Sequence, residues 1–332
     1  MMKPKEFDVV TIGSITRDNF LEGDFSVEKW SKAPSGKALV LPYGEKLEIR
    51  DVYLTMGGNS ANASVTFARQ GFRTACFGKV GDDLSGKEIH ERLKKEGVRT
   101  LLAVSKEKPT AYSVLLLEKG ERTILGYHGA SDTMTLRDIP WSKLRSSWWY
   151  LSLAGESDRL LKSLLGFAKK NGIKVAFNPS GHHIRHKRKQ IISALKDLSF
   201  LVLNRGEAAD LVGMSFKKEK EVFKKLDRLT PGIVAVTDGT NGVTVSDGRF
   251  LYKAGIFKER KVIDRTGAGD AFGSGFVAGL MRRPGDIRYA IRMASANSTS
   301  GIEKIGATEG LLTRNKFQER RWKNLPIKIS KL

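Results

Sequence analysis

The segment Asp264-Arg265-Thr266-Gly267-Ala268-Gly269-Asp270 runs directly into a helix-compatible stretch from Ala271 to Leu280. Small residues at a helix start leave backbone N–H groups uncovered, and the helix dipole favours an anion there. A phosphate fits such a position. A carboxylate in the same turn repels a resting phosphate. It makes chemical sense if Asp270 takes the proton of an attacking hydroxyl while the amides of Gly267, Ala268 and Gly269 hold a phosphoryl group in transit. The alternative for this segment alone is glycine for close helix packing, with Asp270 as a helix cap.

In open parallel sheets ligands gather beyond the carboxyl ends of the strands, so polar residues just past apolar runs are the next candidates. They are Gly13 and Asp18, Asn178, Asn204 with Glu207, and Thr237 with Gly239. Each has a second reading. Asp18 can cap a loop, Asn59 and Asn62 can cap the helix beginning near Ala61, Asn204 and Glu207 fit a capping box, and Asn178 before Pro179 fits a turn.

The elements that must position these residues are legible in the hydrophobic pattern. Apolar runs at Val9–Ile12, Val175–Phe177, Phe200–Leu203 and Ile233–Val236 alternate with amphipathic stretches. That alternation predicts parallel strands joined by crossover helices. Leu160, Leu161, Leu164, Leu165 and Ala168 form a helical stripe ending at Asn171-Gly172; Ala61, Val65 and Ala68 form another, closed by Gly71. Ala38–Thr55 and Thr110–Tyr127 are rich in β-formers and read as hairpins of a small β lid. The expected organisation is an α/β body over residues 1–313, a lid from about 15–55 and 100–128, and a basic tail over 314–332.

Composition bounds the rest. The chain has 332 residues, 40% of them hydrophobic and 28% charged, enough for a substantial core and too apolar for wholesale disorder. One cysteine, Cys76, excludes an internal disulfide framework and reads as a small core hydrophobe. The charged start, Met1 to Asp8, lacks the apolar stretch of a signal peptide. No segment reaches the roughly 18 apolar residues of a membrane span, so a cytoplasmic location is expected. The net charge of +22 is concentrated at Arg185–Lys189, Lys217–Lys225 and from Arg314 onward. Without aromatic residues interleaved at regular spacing, these stretches read as solvated basic faces rather than a nucleic-acid groove.

The chemistry-bearing segments together resemble the ribokinase-like carbohydrate kinases, the PfkB family. Asp264 to Gly279 matches its C-terminal signature. Gly57-Gly58-Asn59-Ser60-Ala61-Asn62, with Gly78-Lys79-Val80-Gly81-Asp82-Asp83 and Gly86, matches the N-terminal one. The resemblance implies a three-layer αβα sandwich with a mostly parallel central sheet and a β lid. It implies Asp270 as base, Gly267, Ala268 and Gly269 as anion hole, and Asp18, Gly58, Asn59 and Asn62 as ligands of the acceptor hydroxyls. Asn178, Asn204, Glu207, Thr237, Gly239, Gly306 and Ala307 would contact the nucleotide, with Glu207 reaching Mg²⁺ through water. Asp264 and Thr266 match positions that hold a monovalent cation, K⁺, in many relatives. A homodimer through the lid is a further expectation, because lid hairpins in such folds can pair between subunits.

Two near misses are rejected. Gly81-Asp82-Asp83-Leu84-Ser85-Gly86-Lys87 has P-loop spacing, but Glu88 stands where a hydroxyl should hold Mg²⁺, and two aspartates would sit in the phosphate cradle. His182, His183 and His186 have ligand-like spacing, but Arg185, Lys187, Arg188 and Lys189 would repel a cation, so a basic surface helix is expected. The sequence thus predicts transfer of the ATP γ-phosphoryl group to a hydroxyl of a sugar. A nucleoside acceptor stays open, with Tyr43, Tyr112 and Tyr127 as candidate base platforms. A noncatalytic nucleotide- or nucleic-acid-binding protein is the reading from another class.

Overall fold

The computed structural model describes residues 5–33, 35–118, 121–153 and 155–332; the first four residues of the charged start lie outside them. Strands in the first half are β1 (Phe7–Gly13), β2 (Thr16–Glu22), β3 (Ser26–Lys29), β4 (Lys37–Val40), β5 (Asp51–Gly57) and β6 (Thr74–Phe77). They continue as β7 (Lys79–Gly81), β8 (Arg99–Thr100), β9 (Ala103–Ser105), β10 (Ala111–Glu118) and β11 (Glu121–Tyr127). The second half holds β12 (Ser146–Ser152), β13 (Lys174–Phe177), β14 (Phe200–Asn204), β15 (Ile233–Thr237), β16 (Val243–Ser246), β17 (Phe250–Ala254) and β18 (Ile327–Lys331). The α-helices are α1 (Asn59–Arg69), α2 (Leu84–Lys95), α3 (Leu161–Lys170), α4 (Gly181–His186) and α5 (Arg188–Ala194). They are followed by α6 (Arg205–Val212), α7 (Glu219–Leu229), α8 (Ala268–Arg282) and α9 (Ile287–Gly301).

The main sheet has ten strands in the order β18-β17-β16-β15-β14-β13-β12-β1-β6-β8. From β15 to β8 every pairing is parallel. The three strands beyond β15 close the sheet as an antiparallel edge. Side chains of a strand alternate between faces, and the core divides accordingly. Val10, Ile12, Trp149, Leu151, Val175, Phe177, Leu201 and Leu203 join the core under α3, α5, α6 and α7. Val9, Trp148, Tyr150, Ala176, Phe200 and Val202 join the opposite core with α8 and α9. Both faces are covered, so the central strands are continuous apolar runs. This is the expected three-layer sandwich.

A second sheet, β11-β10-β2-β5, forms the lid. Thr110–Tyr127 contains the β10–β11 hairpin, whereas Ala38–Thr55 is not a hairpin. Its first strand, β4, pairs with β3, and its last, β5, pairs with β2. The two strands share β-forming composition but lie in different sheets, which periodicity along the chain does not reveal.

Residues 314–332 depart from the expected basic tail. Short 3₁₀ turns bury Phe317 and Trp322, and β18 completes the edge of the main sheet against β17. The physical reason is aromatic: Phe317 packs edge-on against Tyr289 and Trp322 against Phe257, while Arg321 stacks over the Trp322 ring at 4.1 Å. The cations lie outward over an anchored segment. Among the described residues no helix is long and apolar enough to cross a membrane.

Candidate active site

Asp270 sits in the first turn of α8, buried between the two halves of the sequence. Asn62 of α1 donates from Nδ2 to its Oδ2 at 3.0 Å, and Asn178, just past β13, donates from Nδ2 to its Oδ1 at 3.2 Å. Burial pushes the carboxyl up to about 6, the Asn62 hydrogen bond opposes the rise, and the Glu207 charge adds to it. A carboxylate so placed is ionised at neutral pH and basic enough to accept a proton.

The α8 start is built for close approach. Gly267 has φ 74°, and a Cβ there would lie 2.5 Å from the Cβ of Ala307, so only glycine is accommodated. First-turn amides of a helix lack intrahelical acceptors. Of the three amides expected to form the anion hole, Gly267, Ala268 and Gly269, that of Ala268 is turned back to the Arg265 carbonyl at 3.3 Å.

Asp18 faces this site from β2. A Cβ on Gly57 would fall 1.8 Å from its Oδ2, so the bare backbone of β5 is what seats the carboxyl. Burial pushes Asp18 up to about 7; Ser113 opposes the rise, Asp264 and Asp270 reinforce it, and Arg17 opposes it. Two further acceptors nearby, Asn62 Oδ1 and Thr55 Oγ1, are buried without a hydrogen-bond partner among the described residues. Thr55 lies opposite Asp18 in the β2–β5 register. Such groups cost free energy until a ligand or water fills them.

Gly58 and Asn59 brace the start of α1. Gly58 has φ 88° and lies against Ser14 and Ile15. The Asn59 backbone N–H donates to Ser14 Oγ (3.0 Å), and its Nδ2 donates to Ser152 Oγ (3.0 Å). Ser152 in turn donates to the Asn178 carbonyl at 2.9 Å. These bonds lock the start of α1 to the strand ends, holding Asn62 and Asn178 in register around Asp270. Sequence reasoning missed Ser14 and Ser152; both stand at strand ends, and recognising Ser146–Ser152 as a strand would have exposed the second.

Across α8 lies an open cleft whose walls include Thr237, Gly239, Ala268, Gly269, Phe272 and Thr299. Gly306 and Ala307 do not line it. Gly306 donates to Asp264 Oδ2 at 3.1 Å and packs against Thr55, and Ala307 abuts Gly267, so they brace the α8 start instead. Asn204 and Glu207 satisfy both halves of a capping box at α6, 2.9 and 2.8 Å, and burial raises the Glu207 carboxyl above its ordinary range. Asp264 accepts the amides of Thr266 and Gly306, while Thr266 Oγ1 is buried without a partner among the described residues.

The remaining candidates are settled by geometry. Gly81–Lys87 is a helix start whose amides serve the protein: Asp83 accepts from the Gly86 amide and from both Thr110 donors. Cys76 is fully buried, and burial raises its thiol. The expected surface helix at His182–His186 is corrected at His183, which is buried with Nε2 2.7 Å from the Gly155 carbonyl, because one side of α4 must face the core. Tyr43 is fully exposed. Tyr112 pairs with Arg17 across β10 and β2, and Tyr127 pairs with Tyr112. Alternation therefore puts both on the face opposite Asp18. Phe20 and Tyr53 share the Asp18 face instead.

Comparison with known proteins gives the family and the fold. The family model "pfkB family carbohydrate kinase" fits residues 31–314. Ribokinase from Lactococcus lactis is 28% identical over 307 residues, 91% of this chain and 93% of that protein. Arabidopsis thaliana ribokinase, solved with ribose and ATP, superposes with TM-score 0.74 at 21% identity, over 96% of this chain and 99% of that one. Adenosine kinase from Sinorhizobium meliloti superposes with TM-score 0.78 at 22% identity, over 93% and 97%. The chain belongs to the PfkB family of carbohydrate and nucleoside kinases and is a phosphotransferase acting on an alcohol acceptor.

Proposed function

We propose that the protein phosphorylates a sugar hydroxyl from ATP, the co-substrate the family implies, with Asp270 as the general base. The observation that carries the reading is the pairing of a buried carboxylate, held by Asn62 and Asn178, with the open amides of the α8 start. A hydroxyl placed between them loses its proton to Asp270 as its oxygen attacks the γ-phosphorus in line, and the bond to the β-phosphate oxygen breaks. The amides of Gly269 and Asp270 stabilise charge on the equatorial oxygens. The lid excludes the water that would otherwise accept the phosphoryl group.

Asp18, Thr55 and Asn62 are the acceptor's hydrogen-bonding partners in this proposal. A polyol supplies several donors to groups that otherwise have none. The cleft beside Thr237 and Gly239 takes the nucleotide. Among the described residues no three acidic, histidine or cysteine side chains gather to cage a metal. The residues present fit Mg²⁺ carried by nucleotide phosphates and touched through water by Glu207. When bound, that ion neutralises phosphate charge. The orphaned Thr266 Oγ1 beside Asp264 is the donor set for a monovalent cation.

A panel of sugars and nucleosides assayed for acceptor-dependent ADP release tests the reading. Turnover with one sugar and none with nucleosides is the expected result, and turnover confined to nucleosides overturns the sugar assignment. A homodimer through the lid is proposed on the outward face, where Val52, Leu54, Leu125 and Tyr127 are all about half-exposed. Light scattering of Leu54→Lys with Leu125→Lys tests it: the double variant is expected to be monomeric, and a wild-type monomer ends the idea.

A further inference from the structure

We infer that Tyr150 is a positioning residue for Asp270, acting through Asn178; the inference rests on the reading of Asp270 as base. Tyr150 lies in the middle of β12, fully buried beneath α8. Its ring meets Phe67 of α1 edge-on at 6.0 Å. Its hydroxyl is buried with no hydrogen bond of good geometry among the described residues. A buried phenol is normally partnered, so an isolated one on a strand leading to the site calls for an account.

Three observations locate the hydroxyl. A Cβ on Gly273 would fall 2.4 Å from it, so it points at α8 one turn beyond Asp270. Its ionisation is raised first by burial and then by the charge of Asp270, while the Asn178 amide lies within reach and opposes the rise. Asn178 is the residue whose Nδ2 donates to Asp270 Oδ1. The hydroxyl therefore abuts the amide that holds the base.

An amide bonded only to Asp270 can turn about its χ2 axis, exchanging its nitrogen for its oxygen and setting two acceptors against each other. The phenol hydroxyl gives that amide a second fixed contact, and the carboxylate keeps its donor. Gly273 is the complementary requirement, since any side chain there removes the space the hydroxyl occupies. The groups facing Asp270 are then Asn62 from α1, Asn178 from the β13 end, Tyr150 from β12, Glu207 from α6 and Asp18 from the lid. Of these only Tyr150 lies wholly within the core.

Tyr150→Phe keeps the ring and removes the oxygen. With the full chain labelled at aspartate side-chain carbons, NMR titration reads the Asp270 carboxyl directly. Asp270→Asn identifies its signal. The expected result is a midpoint moved to higher pH in Tyr150→Phe. The kcat should fall about three- to tenfold at pH 7, with a larger deficit at pH 6, and the acceptor KM should change less than twofold. An unmoved midpoint with a folded variant overturns the inference whatever the turnover. Turnover retained in Asp270→Asn overturns the base assignment instead, so the two failures are distinct.

Gly273→Ala supplies an independent check. In the wild type it should lower both Tm and kcat. In the Tyr150→Phe background, where the nearest remaining atom is Val202 Cγ1 at 3.1 Å, its further effect should be much smaller. Additive losses in that double-mutant cycle would show that the hydroxyl and Gly273 are not coupled, and would also overturn it.

Discussion

Asn62 and Asp270 are 208 residues apart in the chain and joined by a 3.0 Å hydrogen bond. One comes from the first helix of the N-terminal signature and the other from the turn that opens the C-terminal one. The bond occupies the Asn62 nitrogen and leaves its Oδ1 buried without a partner among the described residues.

Replacing Asp270 with Asn preserves shape while removing the proton acceptor, at the cost of one of the two accepted hydrogen bonds, since an amide has a single oxygen. The kcat should fall by about 10² to 10⁴ with little change in acceptor affinity. Coupled ADP release, read beside acceptor binding by calorimetry, checks it; normal turnover removes Asp270 from the mechanism.

Turnover should decline as pH falls through about 6, because the base must be ionised and burial has raised its carboxyl to that value. A kcat–pH profile with its acid limb near 4 would contradict the assignment.

Stability should run the other way. Asp18 and Asp270 titrate near 7 and 6 in the folded chain, above the value of 3.8 for an unfolded aspartate. The folded state therefore binds these protons more tightly. Their contribution is fully present below about pH 4 and is lost as pH rises from there to the folded values, at up to about 1.4 kcal/mol per pH unit for each group. Asp83 and Glu303, whose carboxyls are held below their ordinary values, act oppositely but in a lower pH window. Asp18→Asn should raise Tm by a few degrees at pH 8 and flatten its pH dependence. Thermal unfolding across pH 5 to 8 decides.

Gly57→Ala should affect the acceptor alone. The new Cβ meets the Asp18 carboxyl at 1.8 Å and must displace it. Loss of a charged hydrogen bond predicts an acceptor KM raised about tenfold or more, with the ATP KM unchanged. Equal changes in both constants would place Asp18 outside the acceptor site.

Glu207→Gln separates the two roles of the α6 start. Glutamine still accepts the Asn204 amide at this capping-box position, so Tm should hold. The Mg²⁺ concentration for half-maximal rate should rise about tenfold. A fall in Tm with unaltered Mg²⁺ dependence would leave Glu207 as a cap only.

The strands that carry the site are short apolar runs, and their two-sided burial makes them visible in composition alone: Phe200–Leu203 and Ile233–Val236 could hardly be anything but interior. The helix stripe ending at Gly172 is equally local, since its cap needs the positive φ that glycine allows. Asp270 and the glycines before it were legible because their chemistry is contiguous. Local signals could not assign Ile327–Lys331, whose charged residues hide a strand that exists only because β17 offers an open edge.

Pairings across the chain belong to tertiary structure. The sequence marked Asn59 and Asn62 as acceptor ligands and Asn178 as a nucleotide contact, and only the packing of α1 against α8 and the strand ends joined Asn62 and Asn178 to Asp270 and Asn59 to Ser152. Likewise Tyr112 and Tyr127 were suitable residues on the wrong face, because a strand's parity is fixed by register with its neighbours. Residue type determined what chemistry was available; long-range geometry, which sets distance and desolvation, decided which groups could use it.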